Sequence, residues 1–564
     1  MTDFSLPITY CKNNNLDKHI TTDLELEDSK NLLKTIFKPK TPFGEKNLSH
    51  WSKKISTDKL FLKDTQKLLK SNIPNLDIQD SSKIDEVWKK ITLCDQLDKD
   101  NIGFHEKYSY IDWDWLRSYN NSSEFLQLLS IYSMASPVIS LALPIFFLVF
   151  PFLIIRLKGI KISIGNYICI LKVLFKKHQI GQIFSISSAS WNQRIYIIIS
   201  LIFYTLQIYQ NIRQCMIFCS NMKTIHSDLY IIRNHIELST KCMNIFYDVS
   251  SKLPTYSKFN ENMKEHLMCL NNFYNSLQVI TPLDISVKKL NQIGHVRKCF
   301  YQINYNEKLK KALKYSFEFC GYIDNLNGIR QSIDYSLLGK CKFSKKQTKF
   351  RDAYFPITEK TPIKNTYNLD KHLIITGPNA AGKTTLLKTT LLNIILSQQI
   401  GYGCYKSASI VPFDNIHCYI NIPDTSGRDS LFQAEARRCK DILSLVETNS
   451  NERHFCVFDE LYSGTNPYEA ISSAAAFLKY LNKSPNVCFV LTTHFLQLCK
   501  MLDKEKKIMN YHMEILGSHL DFTYTYKLVC GISNIKGGVK VLNDLEYPSE
   551  IVEDTQKIID KLII

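Results

Sequence analysis

The run Gly377-Pro-Asn-Ala-Ala-Gly-Lys-Thr-Thr385 constrains the fold of this chain more than any other stretch. It fits the pattern G-x-x-x-x-G-K-[ST], in which the backbone N–H groups of a glycine-rich loop cradle phosphates ahead of a helix. An apolar strand-like run, Leu373 to Thr376, precedes the loop, and an apolar helical pattern, Leu386 to Gln399, follows it. The sequence therefore predicts an α/β fold built on a strand–loop–helix unit.

Each part of this loop has a chemical reason to bind a nucleoside triphosphate. Gly377 and Gly382 let the backbone curl close to phosphates, and Lys383 reaches the β- and γ-oxygens. The hydroxyl of Thr384 is a suitable Mg²⁺ ligand. We therefore predict ATP and Mg²⁺ as cofactors, with ATP bound by Gly377, Pro378, Asn379, Ala380, Ala381, Gly382, Lys383, Thr384 and Thr385.

Two further strand-like runs end in residues that would complete such a site. The run Phe455-Cys-Val-Phe-Asp-Glu460 ends in two carboxylates. Asp459 would join Thr384 as a Mg²⁺ ligand, and Glu460 would orient or deprotonate the attacking water as a catalytic residue. A buried strand followed by an acidic helix N-cap gives the same pattern, so both alternatives stay open. The run Val487 to Thr493 leads to His494, predicted as the second catalytic residue and γ-phosphate sensor, although a structural histidine is common there.

Two helix starts are candidate contacts to a nucleotide on another subunit. Ser430 lies in the polar turn Ser426 to Glu435, which opens a helix. Helix N-termini bind anions because their first N–H groups have no partner within the helix. Asn466 ends the turn Ser463-Gly-Thr-Asn466, placed where two nucleotide-binding domains could face each other. We predict that Ser430 and Asn466 act in trans.

These motifs, in this order, resemble the ATPase domain of the MutS mismatch-repair proteins, a branch of the ABC-type ATPases. The resemblance implies an α/β P-loop ATPase domain of ABC type at the C-terminus and Mg²⁺-dependent ATP hydrolysis. It also implies a homodimer, or a pair with a MutS-like partner, joined head-to-tail through the ATPase domains. The stretches that carry it lie within 365–564: 377–385, Gln399-Ile-Gly401, Ser430-Leu-Phe-Gln-Ala-Glu435, Asp459 to Thr465, and Thr492-Thr-His494.

The sequence departs from the MutS pattern at three places within these motifs. Ala380 and Ala381 stand where MutS proteins often have Met-Gly or Gly-Gly. Asp429 lengthens the turn before Ser430, and Leu461-Tyr-Ser replaces the usual Ile-Gly-Arg. These differences bear on the control of hydrolysis more than on nucleotide binding.

Upstream, the resemblance predicts a mostly α-helical core and lever region. Residues 28–124 resemble the first half of the MutS core, and residues 213–351 its second half with a basic linker. The ATPase domain is predicted at 352–564. Residues 1–27 are expected to be loosely ordered, and no mismatch-reading domain is recognisable ahead of the core. We therefore expect a protein that does not read mismatches as MutS does.

Residues 125–212 form a hydrophobic insertion with two candidate transmembrane segments, at about 134–155 and 195–212. From Phe125 to Ile155 the chain has 31 residues without a charge, and the second segment is bounded by arginines. A membrane span needs about 20 predominantly apolar residues. The sequence thus predicts a helical hairpin as a candidate for membrane insertion. A pair of helices buried in the lever or at a subunit interface would also be apolar, and this alternative stays open.

The charges around the insertion leave two topologies open. Two crossings would keep both halves of the core on one side and place residues 156–194 on the other. That loop has seven basic residues and no acidic one, which favours the cytoplasmic side. Pro137, Pro144 and Pro151 would instead allow a kinked or re-entrant hairpin, with Tyr167 to Lys177 lying on an anionic leaflet. Both topologies predict contact with a membrane.

Charge and cysteine content limit the remaining choices. A net charge of +17 suits DNA, RNA or an anionic membrane as partners, although an AT-rich coding bias toward lysine gives the same balance. Residues 340–351 carry six basic residues. Such a run is typical of a solvated linker, or it would contact a single-stranded nucleic acid through stacking on Phe343 and Phe350. The 17 cysteines lack metal-ligand spacing, which indicates an intracellular reducing compartment without structural zinc.

Two classes of function follow from these observations. A MutS-like DNA-binding ATPase would drive a lever or clamp on DNA, in mismatch repair or recombination. A membrane-associated ATPase would use the same motor on a membrane or a protein partner, with the ATPase domain in the cytoplasm. A noncatalytic scaffold is disfavoured because Asp459, Glu460 and His494 are all present.

Overall fold

The structure is a computed structural model of the chain. It divides into two compact units: unit 1 comprises Met1–Ser81, Ser239–Leu267 and Lys314–Ile564, and unit 2 comprises Ser82–Leu238 and Met268–Leu313. The segments predicted at 28–124, 125–212, 213–351 and 352–564 follow sequence motifs and remain predictions. The structure describes residues 4–26, 32–75, 81–99, 103–159, 163–177, 190–282, 287–356, 361–420, 430–518, 521–533, 539, 542–543 and 545–561.

Helices make up most of the described chain ahead of the C-terminal domain, so the predicted mostly helical core is confirmed. Three short 3-10 helices lie at Pro7–Tyr10, Arg117–Asn121 and Pro254–Tyr256. The α-helices are α1 Lys18–Asp23, α2 Leu32–Phe37, α3 Pro42–Trp51, α4 Lys59–Lys70, α5 Ser81–Lys99, α6 Phe104–Tyr108, α7 Ser123–Leu157, α8 Ile164–Lys177, α9 Trp191–Ser250, α10 Ser257–Leu277, α11 Val287–Leu290, α12 Ile293–Tyr305, α13 Glu307–Asp334, α14 Lys383–Ile400, α15 Leu431–Thr448, α16 Pro467–Lys483, α17 Leu496–Leu502 and α18 Ser549–Lys561.

Strands concentrate toward the C-terminus, where they alternate with helices, and the predicted α/β domain is confirmed there. A small antiparallel ladder joins β1 and β2 near the N-terminus. The described strands are β1 Asn13–Asn15, β2 Lys54–Ser56, β3 Gly339–Phe343, β4 Lys349–Ala353, β5 Asn365–Asn368, β6 His372–Thr376, β7 Tyr402–Gly403, β8 Ser407–Ile410, β9 Asn415–Tyr419, β10 His454–Asp459, β11 Val487–Thr493, β12 Ile508–Ser518 and β13 Asp521–Cys530.

The main sheet of unit 1 has the strand order β13-β12-β6-β11-β10-β9. All neighbours are parallel except β13, which runs antiparallel to β12. Every residue of β6 and of β11 is buried. Near-continuous burial of this kind is typical of parallel strands covered by helices on both faces. The parallel arrangement places the carboxyl ends of β6, β10 and β11 along one edge.

A second sheet of unit 1 has the order β5-β4-β8-β3-β7 and includes most of the predicted basic linker. Because side chains alternate along a strand, the basic residues of β3 and β4 are exposed while Cys341 and Phe350 are buried. The ring of Phe350 packs against Tyr367 and Tyr405. Of the two alternatives left open for this linker, a single-strand contact through Phe350 is disfavoured, since its ring belongs to the protein core.

Helix α14 runs through the interior of unit 1, and every residue from Thr389 to Ile400 is buried. It is bounded by Gly382, with φ of 90°, and by Gly401, with φ of 75°. A left-handed glycine directly after the last turn is a common helix end. A helix that is apolar on all sides is expected to be buried. Helix α14 instead mixes apolar residues with polar ones such as Asn393 and Ser397, whose side chains are hydrogen-bonded within unit 1, and so it is a central rather than a surface helix.

The far end of α14 holds the N-terminal part of unit 1. The Gln399 side-chain amide donates to the carbonyls of Trp51 and, at 3.0 Å, Lys54. The carbonyl of Gly401 accepts from the Gln66 side chain at 2.6 Å. The stretch Gln399-Ile-Gly401, singled out from the sequence as a motif, thus anchors residues 51–66 to the helix that follows the predicted nucleotide loop.

Residues 4–26 differ from the expected loose N-terminus, because they are packed into unit 1. Phe4 is 1% exposed, and its ring lies 5.2 Å from that of Tyr315. Asp17 accepts a hydrogen bond of 3.0 Å from Arg438. Burial raises the pKa of this carboxyl, but the hydrogen bonds from the amide of His19 and from Arg438 together outweigh it, so the pKa is lowered. Apolar residues are scattered here without helical or strand period, so the sequence carries no pattern that predicts this packing.

Two long helices dominate unit 2. Helix α7 has 35 residues and α9 has 60, and the backbone of α7 is helical through all three of its prolines. By length and composition, stretches within Ser123–Ala142 and Arg194–Ser250 are apolar enough to cross a membrane, with mean hydropathies of 1.5 and 1.4. Only 11% and 6% of their apolar windows are buried. These helices are therefore largely uncovered by the described chain.

Candidate nucleotide-binding site

Three strand ends meet beside the predicted nucleotide loop. Thr376, the last residue of β6, lies opposite Thr493 of β11, and Asp459, the last residue of β10, lies opposite Thr492. The loop 377–382 follows β6 directly. In open α/β sheets, ligands bind in the crevice outside the carboxyl ends of the strands. The topology therefore brings together residues that are more than a hundred positions apart in the sequence.

The loop itself curls through backbone conformations that favour glycine. Gly382 has φ of 90°, and a Cβ at this position would lie 3.0 Å from the ring of Tyr526. Ala380 also has a positive φ, of 61°, and its side chain is exposed, whereas Pro378 and Ala381 are buried. Left-handed conformations of non-glycine residues cost of order 1 kcal/mol or more and persist where the surroundings impose them. The surrounding structure thus holds the loop in a tight curl.

Lys383 is the first residue of α14, and its side chain turns back into the loop. Its Nζ donates to the carbonyls of Gly377 at 3.0 Å and Pro378 at 3.1 Å. It also lies 3.2 Å from Nε2 of His494 and 3.9 Å from Oε1 of Glu460. Burial lowers the pKa of the Lys383 ammonium, and nearby carboxylates oppose this effect. A bound anion would act in the same direction as the carboxylates and favour the charged form.

Thr384 and Asp459 lie next to one another at the site. The Thr384 hydroxyl donates to one carboxylate oxygen of Asp459 at 2.8 Å. The other carboxylate oxygen accepts from the hydroxyl of Thr492. Mg²⁺ prefers oxygen ligands, and it is usually held by one or two protein groups together with water and substrate phosphates. A hydroxyl and a carboxylate in contact therefore fit the predicted magnesium site.

Glu460 and His494 are hydrogen-bonded to one another beside Lys383. Oε1 of Glu460 lies 2.6 Å from Nε2 of His494, and this hydrogen bond is the main reason why the pKa of Glu460 is lowered. The backbone of Glu460 is left-handed, with φ of 55°, and so is that of Tyr462, with φ of 57°. Strained residues of this kind cluster at functional sites. The carboxylate of Glu460 is thus ionised, oriented and only half-buried.

A cavity of about 730 Å³ lies against the loop. This volume is within the range of small-molecule sites. Its polar side includes Asn379, Lys383, Thr384, Thr385 and Glu460. Its apolar side was missed by the sequence reasoning, because strands and loops far apart in the chain contribute to it without a motif. The further lining residues are Ala353, Phe355, Thr361, Pro362, Ile363, Asn365, Ala380, Gly382, Leu386, Thr389, Met513 and Tyr526.

Ser430 and Asn466 are absent from the described residues that line this cavity. Both are exposed, and each caps a helix: Ser430 is the N-cap of α15 and forms a capping box with Gln433, and Asn466 accepts from the N–H of Glu469 at 3.0 Å. The Ser430 oxygen accepts from the backbone of Gln433 at 3.3 Å, which leaves its own O–H able to donate elsewhere. Their predicted action in trans stays a prediction.

Glu435 supports the turn that follows Glu460, a role that the sequence reasoning did not assign to it. It is 2% exposed, and its carboxylate accepts from the N–H of Ser463 at 3.1 Å, the hydroxyl of Ser463 at 3.0 Å and the N–H of Gly464 at 3.2 Å. The N–H of Tyr462 donates to the hydroxyl of Tyr419 at 3.3 Å. Because Glu435 belongs to α15, the helix that Ser430 caps is joined directly to this turn.

Comparisons with known proteins match the same part of the chain. The family model described as MutS domain V matches residues 373–563. DNA mismatch repair protein MutS of Parabacteroides distasonis is 33% identical over 196 residues, covering 34% of this chain and 22% of that protein. MutS of Bacteroides fragilis is 33% identical over 218 residues, covering 37% and 25%. MutS of Methanosarcina barkeri is 27% identical over 223 residues, covering 38% and 24%. The match thus spans about a quarter of the length of these curated relatives.

Proposed function

We propose that this chain, whose residues 373–563 belong to the MutS domain V family, is a MutS-like ATPase that binds and hydrolyses MgATP and acts on DNA. One observation carries the proposal: beside the loop 377–382, Nζ of Lys383 lies 3.9 Å from Glu460 and 3.2 Å from His494, and Thr384, the next residue, donates to Asp459. Lys383, Thr384 and Glu460 also line the cavity. A P-loop site requires a lysine for the phosphates, oxygen ligands for Mg²⁺ and a residue that positions water, and these side chains match that requirement.

The roles follow from the contacts. The loop N–H groups and Lys383 hold the phosphates, while Thr384 and Asp459 hold Mg²⁺, which supplies positive charge against the phosphate oxygens. Glu460 accepts the proton of the attacking water, and His494 orients Glu460 through its 2.6 Å contact. The apolar side of the cavity, with Met513 and Tyr526, suits the base and sugar of the nucleotide. A second chain, paired head-to-tail, contributes Ser430 and Asn466.

DNA is the proposed object of this ATPase for two reasons. The matched relatives are named DNA mismatch repair proteins. The net charge of +17 also favours a phosphate-rich partner. An intracellular, reducing location accords with described cysteines that are all free thiols. The lever or clamp motion on DNA is part of the same proposal.

Measurement of ATP hydrolysis by the purified full chain tests the enzyme proposal, and its dependence on added duplex DNA tests the partner. We expect Mg²⁺-dependent turnover that DNA changes several-fold, with DNA affinity falling steeply as salt rises because counterion release weakens. The Lys383→Ala chain is the matched control. Turnover that survives Lys383→Ala would overturn the assignment of the site, and turnover indifferent to DNA at low salt would overturn the choice of partner.

A second candidate function is an ATPase that works at a membrane, on lipid or on a protein partner there. The observation that favours it is the exposure of the apolar helices α7 and α9. The same turnover assay separates the two candidates. Stimulation by phospholipid vesicles and not by DNA would support the membrane function, with the ATPase domain in the cytoplasm.

A further inference from the structure

The base of helix α7 is locked into unit 2. The side chain of Gln127 donates to the carbonyl of Leu290 at 2.8 Å and accepts from the N–H of Gly294 at 2.8 Å. A Cβ at Gly294 would lie 2.1 Å from the carbonyl oxygen of Ser123, so only glycine permits this approach. The first two turns of α7 are therefore fixed against the start of α12.

Arg297 extends this attachment to helix α9. It is fully buried, and it donates to the hydroxyl of Ser130 at 2.9 Å and to the carbonyls of Tyr108, at 3.2 Å, and Ser109. The guanidinium also lies over the ring of Phe218 in α9, 5.4 Å from its centroid. The buried guanidinium of Arg297 thus contacts α7, α9 and the chain ahead of α7, and it marks the level at which the three are held together.

Beyond that level the two helices are apolar and uncovered. We define the α7 arm as residues 131–157 and the α9 arm as residues 191–217. Many large apolar side chains on these arms are 37–86% exposed, including Val138, Leu141, Ile198, Ile202 and Phe203, whereas Ile197 is 6% exposed. On α9 the exposed positions follow one another around the helix, so a protein partner on one side would leave the others in water. Lipid surrounds a helix on all sides.

Several hydroxyl groups of the arms are bonded within the protein. The hydroxyls of Ser133 and Ser140 donate to carbonyls of their own helix at 2.9 and 2.7 Å, and that of Tyr204 donates to the carbonyl of Ser140 at 3.3 Å. Polar groups inside a bilayer must be satisfied in this way. Each arm is about 40 Å long at 1.5 Å per residue, enough to enter or cross a hydrocarbon core of about 30 Å.

The ends of the arms carry groups suited to lipid headgroups. Arg156 and Lys158 are exposed at the end of the α7 arm. Trp191, which begins the α9 arm, is 77% exposed. Arginine and lysine at helix ends and tryptophan at the interface are typical of membrane segments. We infer that the α7 and α9 arms lie in a phospholipid bilayer. Contacts with Gly294 and Arg297 attach the base of the arms to the rest of unit 2.

Carbonate extraction and flotation of the full chain with phospholipid vesicles test this inference. We expect the chain to stay with the membrane at high pH. Val138→Asp combined with Phe203→Asp places charges in the hydrocarbon and should release the chain, whereas Tyr468→Asp, at a side chain 79% exposed in unit 1, should not. Lys383→Ala should also stay bound, which separates this inference from the proposed ATPase.

Two outcomes would overturn the inference. One is a wild-type chain that is recovered in the carbonate supernatant and behaves as a soluble oligomer without detergent, since the arms would then be covered by copies of the chain. The other is equal retention of the wild type and the doubly charged variant, since retention would then not depend on the arms. Circular dichroism of each variant shows that it has folded.

Discussion

Nζ of Lys383 lies 3.2 Å from Nε2 of His494. The same imidazole nitrogen lies 2.6 Å from Oε1 of Glu460. A ring nitrogen that donates its proton to a carboxylate has no lone pair left for an ammonium. The contact between Lys383 and His494 is then poor for both groups, and a phosphate oxygen would be a better acceptor for the lysine. Nucleotide binding is expected to move the Lys383 ammonium away from His494 and toward a phosphate. The imidazole of His494 would then keep only its hydrogen bond to Glu460.

Replacing Lys383 by alanine should remove most of the ATP affinity. Charge-assisted hydrogen bonds contribute about 1.5–3 kcal/mol each, so the loss of contacts to two phosphates predicts an affinity at least about 100-fold weaker. Titration calorimetry with a non-hydrolysable ATP analogue measures it. Lys406→Ala, at an exposed lysine of the same unit, is the control and should bind normally. Unchanged binding by Lys383→Ala would show that the nucleotide lies elsewhere.

Glu460→Gln should slow hydrolysis while ATP stays bound. The amide keeps the size of the carboxylate but cannot accept the proton of water, and loss of a general base typically costs about 10² to 10⁴ in rate. Single-turnover phosphate release and filter retention of labelled ATP measure the two effects. The exposed Glu447→Gln is the matched change. Normal turnover by the Glu460 variant would remove this residue from the base role.

Glu435→Gln should lower kcat about 10-fold and leave the KM for ATP within about two-fold. The amide group of glutamine would face the N–H groups of Ser463 and Gly464, so the turn after Glu460 would shift while the phosphate loop stays intact. Steady-state kinetics separate the two constants. A variant in which kcat falls, KM changes and thermal stability falls together would indicate a structural role only. Glu435→Asp should recover part of the rate.

Acid should destabilise unit 1 through its buried histidines. Burial and the neighbouring His454 lower the pKa of His417 to about 4, from about 6.5 in the unfolded chain. Because the unfolded state takes up the proton first, this contribution is complete above pH 6.5 and is lost as the pH falls toward 4. Its size is of order 3 kcal/mol. The fall in Tm over this range should be smaller in His417→Gln than in the exposed His19→Gln.

Gln399→Ala should destabilise the fold without touching the cavity. It leaves the buried carbonyl of Trp51 and the partly buried carbonyl of Lys54 without this donor, at a cost of about 1–3 kcal/mol. Denaturant unfolding of the full chain measures it, with Gln347→Ala, at an exposed position, as the comparison. Equal stability of the two variants would contradict the anchoring role of Gln399.

Local sequence patterns place the elements around the site closely. The apolar runs predicted as strands correspond to β6, β10 and β11, and the helix after the loop begins at Lys383. These elements are buried and close to the glycine-rich motif, so their apolar composition and the turn residues at their ends identify them. The polar turn at Ser430 also opens a helix, because its capping box uses adjacent residues.

Long-range contacts are what the sequence could not indicate. The pairing of β3 with β8, the burial of Arg297 and the support of Ser463 by Glu435 all join residues that are distant in the chain. None of them has a local period or a fixed spacing. Strand pairing depends on the surfaces that meet rather than on intrinsic preference. For the same reason, the packed residues around Phe4 were expected to be loose.

Helix α14 makes the nucleotide loop and the N-terminal segment members of one cooperative folding unit. Its 18 residues span about 27 Å between Lys383 and the glutamines that hold residues 51–66. Residues 352–564 are therefore not expected to fold independently. Without the N-terminal segment, the side-chain amide of Gln399 would lose its acceptors, the carbonyls of Trp51 and Lys54, and would face water. Recombination at that boundary would break the buried bonds even though it spares every side chain with a predicted catalytic role. Heating should melt both parts in a single transition.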